Sequence, residues 1–366
     1  MSDRLLTSPT IWCAISGHGF GHAAQVVPVL NELGRRLPGL TAILRTTVSS
    51  SFFHDRLAIA WSQHSVQQDV GCVQHGPLQI DVSDTWAKHQ QFHATWEARL
   101  AGEVSAMAAA APSLVLADTP YLALSAGKRA GIPTVLLASL TWSEILMSLD
   151  HSAAEHRPLL RSIELAYGEA DLALRMAPGL PLSGIKNVLD IGPITEPALS
   201  ERERLRSFLK ITGSEQLVLV GFGGIPLESL PWAQMDKMIG YQFLVDGPSP
   251  GGSSRVHSLA AIPFTFKSAL ASVDVVMTKP GYGTIVEAVA LGLPVVYVRR
   301  YNFAEEAPLV EFLHQQGQGR ELSLQDFLSG NWRPALEPLA GIRPAPRSKF
   351  MTGAMDAASS LLRYFQ

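Results

Sequence analysis

The chain has 366 residues, more than one hydrophobic core usually supports, so its length predicts two domains. Hydrophobic residues make up 47% of the sequence and charged residues 17%, a composition that excludes a disordered chain and favours large buried sheets. The net charge of −3 includes no run of lysine or arginine, which argues against nucleic acid as a partner.

Short apolar segments alternate with segments of helical periodicity in the first half of the chain, as in parallel βαβ units. The predicted strands are 11–16, 41–47, 113–117, 133–138 and 188–191, and the predicted helices are 23–36, 85–110, 121–130 and 153–169. No apolar stretch reaches the length of about 20 residues that a membrane span needs. Together with only two cysteines, Cys13 and Cys72, this predicts a cytoplasmic protein, with peripheral membrane contact as an open alternative.

The alternation lapses at 192–200, where prolines and a lack of apolar periodicity predict a linker. A helix at 201–210 opens a second series, with strands at 217–221, 241–245, 273–277 and 294–298 and helices at 266–271, 284–291 and 307–316. A last helix at 348–364 is predicted to return to the first domain. The predicted organisation is an α/β protein with doubly wound domains at 1–194 and 195–346 and a C-terminal helix within 347–366.

A glycine-rich loop follows the first predicted strand and opens the first helix. It consists of Gly17, His18, Gly19, Phe20, Gly21 and His22. Glycines allow a ligand close to the backbone N–H groups of a helix N-terminus, so the loop is a predicted ligand site. Its spacing is not that of a dinucleotide-binding loop, and the next strand ends at Arg45 and Thr46 instead of an acidic residue, which makes NAD the weaker hypothesis.

A general base for an acceptor hydroxyl is predicted on this loop, because an imidazole titrates near neutral pH. His18 is favoured over His22 as the residue nearer the strand end, although either histidine could simply bond loop backbone. Asp118 follows a predicted strand and could orient the histidine or the acceptor, or cap a helix. Trp142 could stack on a ligand or serve as a packing residue.

The second half has its own glycine turn between a strand and a helix, formed by Gly281, Tyr282, Gly283 and Thr284. The helix N–H groups at Gly283 and Thr284 suit a diphosphate, and Glu287 could accept the hydroxyls of a ribose. The alternative is a capped surface helix. Arg299 or Arg300 could neutralise phosphate, or pack at the surface.

Three segments carry a resemblance to a known family: GHGFGHA, LVLADTPYLALSAGKRAGIP and TKPGYGTIVEAVALGLPVVYVRRYNFAEE. With DVGCVQ and GFGG, they resemble the glycosyltransferase-like N-terminal region of plant-type L-arabinokinases over nearly the whole chain. The pattern is more distantly similar to the peptidoglycan N-acetylglucosaminyltransferase and the UDP-glycosyltransferases. The resemblance implies the GT-B fold, in which two Rossmann-like domains face a central cleft, with residues 1–194 binding the acceptor and 195–346 the donor.

The resemblance also implies roles for matching residues. Gly281, Gly283 and Thr284 would contact the donor diphosphate and Glu287 the ribose, while His18 matches the position of the base or acceptor-binding group. The segment containing Asn302, Glu305 and Glu306 would contact the donor sugar, Gly223 and Gly224 would lie beside the phosphates, and backbone near Phe264 would contact the nucleotide base. The chain departs from the family at Ala24 and Gln25, where a serine or threonine and an arginine are expected.

The predicted function is transfer of a sugar from a nucleotide-sugar, with UDP-sugars favoured, to an unidentified acceptor. The reaction is expected to invert the anomeric centre without a metal or other cofactor, because no D-x-D motif is present and Asp81 and Asp84 have the wrong spacing. His89 and His93 are more simply explained as a polar helix face than as metal ligands. A nucleotide-sugar 2-epimerase and a non-catalytic nucleotide-sugar-binding domain stay open as alternatives, no segment resembles the kinase ATP loop, and the oligomeric state is undetermined.

Overall fold

The computed structural model describes residues 8–149, 154–196, 198–223, 230–249, 251–342, 345 and 351–365. The chain forms two compact units. The first unit comprises Met1–Val73, Asp81–Ile194 and Met351–Gln366, and the second comprises Gln74–Ile80 and Thr195–Phe350. The segment Gln74–Ile80 therefore belongs to the second unit although its neighbours on both sides lie in the first.

A parallel sheet of seven strands forms the centre of the first unit. Its strands are β1 (Thr10–Ile15), β2 (Thr41–Arg45), β3 (Ala60–His64), β4 (Leu114–Asp118), β5 (Thr134–Ala138), β6 (Leu172–Met176) and β7 (Val188–Ile191). They are ordered β3-β2-β1-β4-β5-β6-β7. The inner strands β4 and β5 are buried along their whole length, as expected for a sheet covered by helices on both faces.

A parallel sheet of six strands forms the centre of the second unit. Its strands are β8 (Gln216–Val220), β9 (Tyr241–Val245), β10 (Val256–Ser258), β11 (Val275–Thr278), β12 (Val295–Tyr297) and β13 (Gly319–Glu321). The order β10-β9-β8-β11-β12-β13 repeats the order of the first six strands of the other sheet. Both units therefore have the doubly wound Rossmann topology.

Helices flank the two sheets. In the first unit they are α1 (Phe20–Arg36), α2 (Ser51–His54), α3 (Val82–His93), α4 (Trp96–Ala110), α5 (Leu122–Ala130), α6 (Trp142–Leu149) and α7 (Arg157–Tyr167). In the second they are α8 (Arg202–Phe208), α9 (Trp232–Asp236), α10 (Phe266–Leu270), α11 (Tyr282–Leu291), α12 (Glu306–Gln316), α13 (Leu324–Ser329) and α14 (Arg333–Leu336). The last helix, α15 (Gly353–Leu361), packs against α1 of the first unit.

Several elements differ from the sequence predictions, and the differences have local causes. Four strands were not predicted. Strands β3, β10 and β13 lie at sheet edges and are polar or only three residues long. Strand β6 is an interior, largely buried strand that the sequence analysis missed. The predicted helix 85–110 is two helices, interrupted at Ala94 and Thr95. Because neither residue is a glycine or proline, this break has no sequence signal.

The strand order places each glycine turn at the switch point of its own sheet. In the first unit the chain turns in opposite directions from β1 and from its neighbour β4, and in the second from β8 and its neighbour β11. Open α/β sheets bind ligands at this switch point, outside the carboxyl ends of the strands. The loop at 17–22 follows β1 and the turn at 279–284 follows β11, so each lies at the switch point of its sheet.

Among the described residues, no helix is long and apolar enough to span a membrane.

Candidate functional site

The first glycine loop, residues 17–22, has a backbone conformation that depends on its glycines. Gly19 has φ 85°, in the left-handed region, and its N–H donates to the Gly17 carbonyl oxygen at 2.9 Å. A Cβ added at Gly17 would lie 2.0 Å from Oγ1 of Thr47, so no larger residue fits there. The loop thus leads directly into α1, whose first residue is the exposed Phe20, stacked on Phe52.

His22 and Asp118 lie together at the switch point of the first sheet. Nδ1 of His22 is 3.3 Å from Oδ2 of Asp118 and 3.3 Å from Oγ1 of Thr119. Asp118 ends β4 and is fully buried, and this burial raises the pKa of its carboxyl, while the adjacent His22 opposes the increase. The carboxylate expected to orient a histidine therefore faces His22, whereas the sequence favoured His18 as the base.

Asp69, to which the sequence assigned no role, is a second buried carboxylate at this site. Its Oδ1 accepts a hydrogen bond from Ser16 at 3.1 Å, and its Oδ2 accepts one from Nε1 of Trp142 at 2.7 Å. Burial raises the pKa of Asp69, and these hydrogen bonds and the charge of His22 act in the opposite direction. Trp142 is itself buried, which favours the packing role over stacking on a ligand, the two roles that the sequence left open.

His18 occupies a different environment from His22. Its ring meets Trp142 edge-on, with ring centroids 5.5 Å apart, and a Cβ added at Gly71 would lie 2.2 Å from Nδ1 of His18. The DVGCVQ segment therefore needs its glycine in order to pass the imidazole. Gly21, by contrast, has open space where a side chain would begin.

The second glycine turn opens α11 in the second unit. Gly281 is the N-cap residue, and no side chain caps the helix, so its first N–H groups are available to an anion. A Cβ at Gly283 would meet nothing within 4 Å, and Thr284 is partly exposed in the first turn. The side chains of Tyr282 and Glu287 are both buried, 4% and 6% exposed, and their contacts with the donor stay predictions.

Lys279 is a partly buried cation beside this turn, and the sequence predictions gave it no role. Its Nζ donates to the carbonyl oxygen of Phe222 at 3.0 Å. Burial first, and then the charge of Arg300, lower the pKa of Lys279 to about 8. Gly223 has φ 75°, and a Cβ there would lie 3.2 Å from Nζ, so Gly223 and the amine are neighbours. The other predicted phosphate neighbour, Gly224, lies outside the described residues.

In the predicted sugar-binding segment, Glu306 forms an ion pair with Arg300. Glu306 is fully buried and accepts hydrogen bonds from the backbone N–H of Arg300 at 3.0 Å and from its Nε at 2.7 Å. Arg300 and Glu306 therefore satisfy each other and hold the loop after β12, and their contact with a donor stays a prediction. Glu305 is buried at the start of α12, and Asn302 is the partly exposed residue of the segment.

The Phe264 side chain is buried, with Phe208 edge-on to it and Arg204 over its face. The expected contact with a nucleotide base is through backbone near Phe264, and it stays a prediction. His89 is buried in the core rather than on a polar helix face, and burial lowers its pKa to about 3. His93 bonds the Tyr121 hydroxyl at 3.0 Å. Among the described residues, no three potential side-chain ligands cluster around a metal position.

No model of a known protein family matches the chain. It is 28% identical over 341 residues to an L-arabinokinase of Arabidopsis thaliana, an alignment that covers 90% of this chain and 32% of that protein. The chain thus spans about a third of the length of this relative.

Solved structures of glycosyltransferases resemble the whole chain. The kitacinnamycin glycosyltransferase superposes with a TM-score of 0.64 at 16% identity, covering 98% of this chain and 96% of its own. Phytolacca americana UGT2, in complex with UDP-2-fluoro-glucose and pterostilbene, superposes with a TM-score of 0.63 at 15% identity, covering 97% and 94%. The chain has the GT-B fold, which confirms the fold class expected from the sequence.

Proposed function

We propose that the chain is a nucleotide-sugar-dependent glycosyltransferase, with the acceptor and base in the first unit and a UDP-sugar as the favoured donor in the second. One observation carries the proposal. The two sheets share a strand order, and the switch point of one has a histidine–carboxylate pair while that of the other has a helix N-terminus beside a partly buried lysine. These are the parts that base catalysis and diphosphate binding require.

In this proposal His22 is the general base. Because Nδ1 of His22 faces Asp118, Nε2 is the nitrogen that would accept the proton of the acceptor hydroxyl. The Asp118 carboxylate would stabilise the imidazolium that results. The acceptor oxygen then attacks the anomeric carbon as the bond to the diphosphate breaks, and this single displacement inverts the anomeric configuration without a metal or cofactor.

The donor diphosphate is assigned to the start of α11. The N–H groups of Gly283 and Thr284 point along the helix axis toward it, and the ammonium of Lys279 adds a full positive charge. These groups would stabilise the charge that develops on the leaving group, which raises the rate as well as the affinity. Glu287, one turn further along the helix, is the proposed acceptor for the ribose hydroxyls.

Calorimetric titration with UDP tests the donor site. Gly283→Trp should reduce affinity at least about tenfold because the indole would fill the open space beside the first turn of α11. The matched control is Gly251→Trp, since Gly251 is an exposed glycine of the same unit that also has open space around it. If both variants bind UDP like the parent protein, the donor site is elsewhere.

Two experiments distinguish the transferase from the alternatives. Incubation of UDP-sugars without acceptor would yield isomerised sugar if the protein is a nucleotide-sugar 2-epimerase. UDP binding without hydrolysis, and without transfer to any acceptor in a screen, would identify a non-catalytic binding domain.

UDP affinity should depend on pH through Lys279. The charged amine binds the diphosphate and its pKa is about 8 in the free protein, so affinity is highest below pH 8 and falls as the pH rises through that value. Binding at a pH near 8 should also take up protons, because a bound dianion stabilises the ammonium form. Titrations on both sides of pH 8 measure this dependence. Lys279→Met should bind weakly with a profile that no longer falls there, and an unchanged profile in that variant would remove Lys279 from the site.

A further inference from the structure

A cavity of about 560 Å³ lies within the first unit, beside the loop that carries His18. This volume is in the range of small-molecule sites. Gly17, His18 and Asp69 line the cavity, and the Trp142 indole that donates to Asp69 lies with its ring centroid 6.4 Å from that of His22. The cavity therefore adjoins the loop that carries both histidines.

The lining of this cavity is unusually polar for a ligand site. Small-molecule pockets are mostly apolar with a few polar groups, whereas most of the lining side chains here carry a hydrogen-bonding or charged group. Phe92 is the only aromatic carbocycle among them. Such a wall would leave many polar groups unsatisfied around a flat apolar acceptor.

Gln68 supplies independent evidence that the cavity is built for a polar ligand. It is among the lining residues and only 1% exposed, yet neither its amide oxygen nor its amide nitrogen has a hydrogen-bond partner in the described structure. A buried amide without partners is costly, and proteins rarely retain one without a use. A ligand hydroxyl can donate to the oxygen and accept from the nitrogen of the same amide.

The charges around the cavity favour an anion. Lys88 and Arg99 both line it, and within the described part of the chain neither forms a salt bridge. Nε of Arg99 donates to Thr95 at 2.9 Å and its guanidinium lies over the ring of Phe92, which fixes the group and leaves its terminal nitrogens for a ligand. The one carboxylate in the lining, Asp69, already accepts hydrogen bonds at both oxygens.

Building on the proposed transferase function, we propose that this cavity binds the acceptor and that the acceptor is a small polyhydroxylated molecule with an anionic group. The carboxylate or phosphate pairs with Lys88 and Arg99, and hydroxyls bond Gln68. The cavity does not suit an apolar phenol.

The test compares acceptor probes of matched size by calorimetry with the intact protein: glucose, glucuronate, glucose 6-phosphate and 4-nitrophenol. At least one anionic sugar should bind about tenfold or more tightly than glucose, as a charge-assisted contact provides. Preference for glucuronate or for glucose 6-phosphate identifies the anionic group as a carboxylate or a phosphate. Equal binding of glucose and both anions, or tightest binding of 4-nitrophenol, would overturn the proposal.

Substitutions of Lys88 and Arg99 test whether the anionic sugar binds in this cavity. Lys88→Gln and Arg99→Gln should each weaken the preferred anion about tenfold and bring its affinity toward that of glucose. Arg99→Lys keeps the charge and should retain part of the preference. Lys186→Gln is the matched control, because Lys186 is exposed on the same unit and does not line the cavity. Anion preference that survives both charge-removing variants would show that the cavity is not the site.

UDP titration of the parent protein separates this inference from the proposed function. If UDP does not bind but anionic sugars do at this cavity, the donor proposal fails and the cavity assignment stands. If UDP binds and the sugars show no anion preference, only the acceptor assignment fails.

Discussion

His22→Gln should reduce glycosyl transfer by about 10²–10⁴-fold, the usual contribution of a positioned general base. The amide cannot accept the acceptor proton, while the turn at the start of α1 stays intact. Asp118→Asn should cause a loss of similar order, because an amide neither stabilises the imidazolium nor selects the tautomer whose Nε2 is free of its proton. Release of UDP from UDP-glucose, with and without the preferred acceptor probe, measures both variants.

His18→Gln is the comparison that decides between the two histidines. His18 contacts Trp142 and lines the acceptor cavity, so this variant should raise the KM for the acceptor more than it lowers kcat. UDP binding by the second unit serves as the check on folding for all three variants. A loss of kcat in His18→Gln with near-parent kcat in His22→Gln would return the base to His18.

Glu103→Ala should destabilise the protein by about 3–5 kcal/mol, the cost of leaving one member of a buried ion pair without its partner. Arg45 ends β2, and its guanidinium forms a two-point ion pair with the Glu103 carboxylate of α4 and lies 4.8 Å from the ring centre of Trp12. Both charged residues are buried. Urea denaturation followed by circular dichroism measures the change in the free energy of unfolding.

The double variant Arg45→Met/Glu103→Leu separates burial of charge from loss of packing. Apolar residues of similar size need no partner, so it should recover much of the stability lost in Glu103→Ala. Glu97→Ala is the surface control, since Glu97 pairs with Arg129 in full contact with solvent and should show no measurable loss. Equal losses in Glu97→Ala and Glu103→Ala would contradict the assignment of a buried pair.

Arg45 also shows how the sequence argues against a dinucleotide as the ligand. A dinucleotide site expects an acidic residue at the end of the second strand, and this chain has an arginine there. The structure adds that this arginine is occupied with Glu103, far along the chain but adjacent in the fold. The sequence made NAD the weaker hypothesis, but it could not predict the ion pair because the two residues are 58 positions apart.

The choice between His18 and His22 shows what a linear pattern leaves undecided. Both residues lie on the same loop, and distance from the strand end favoured His18. Helix α1 begins at Phe20, so His22 lies within its first turn, on the side where β4 ends with Asp118. That pairing depends on the order of strands in the sheet, because β1 and β4 are neighbours in space and are separated by about a hundred residues of chain.

Local sequence determined much of the alternation of strands and helices and the two glycine turns, because backbone propensity and apolar periodicity act between neighbouring residues. The GT-B fold class was expected from the resemblance of whole segments to a known family. The tertiary structure alone decided which polar groups meet: His22 with Asp118, Arg300 with Glu306, and Lys279 with the carbonyl oxygen of Phe222. It also brought Gln68 and Lys88 to one cavity. The physical reason is that desolvation and electrostatic interactions depend on distances in space, which the strand order sets and which separation along the chain does not reveal.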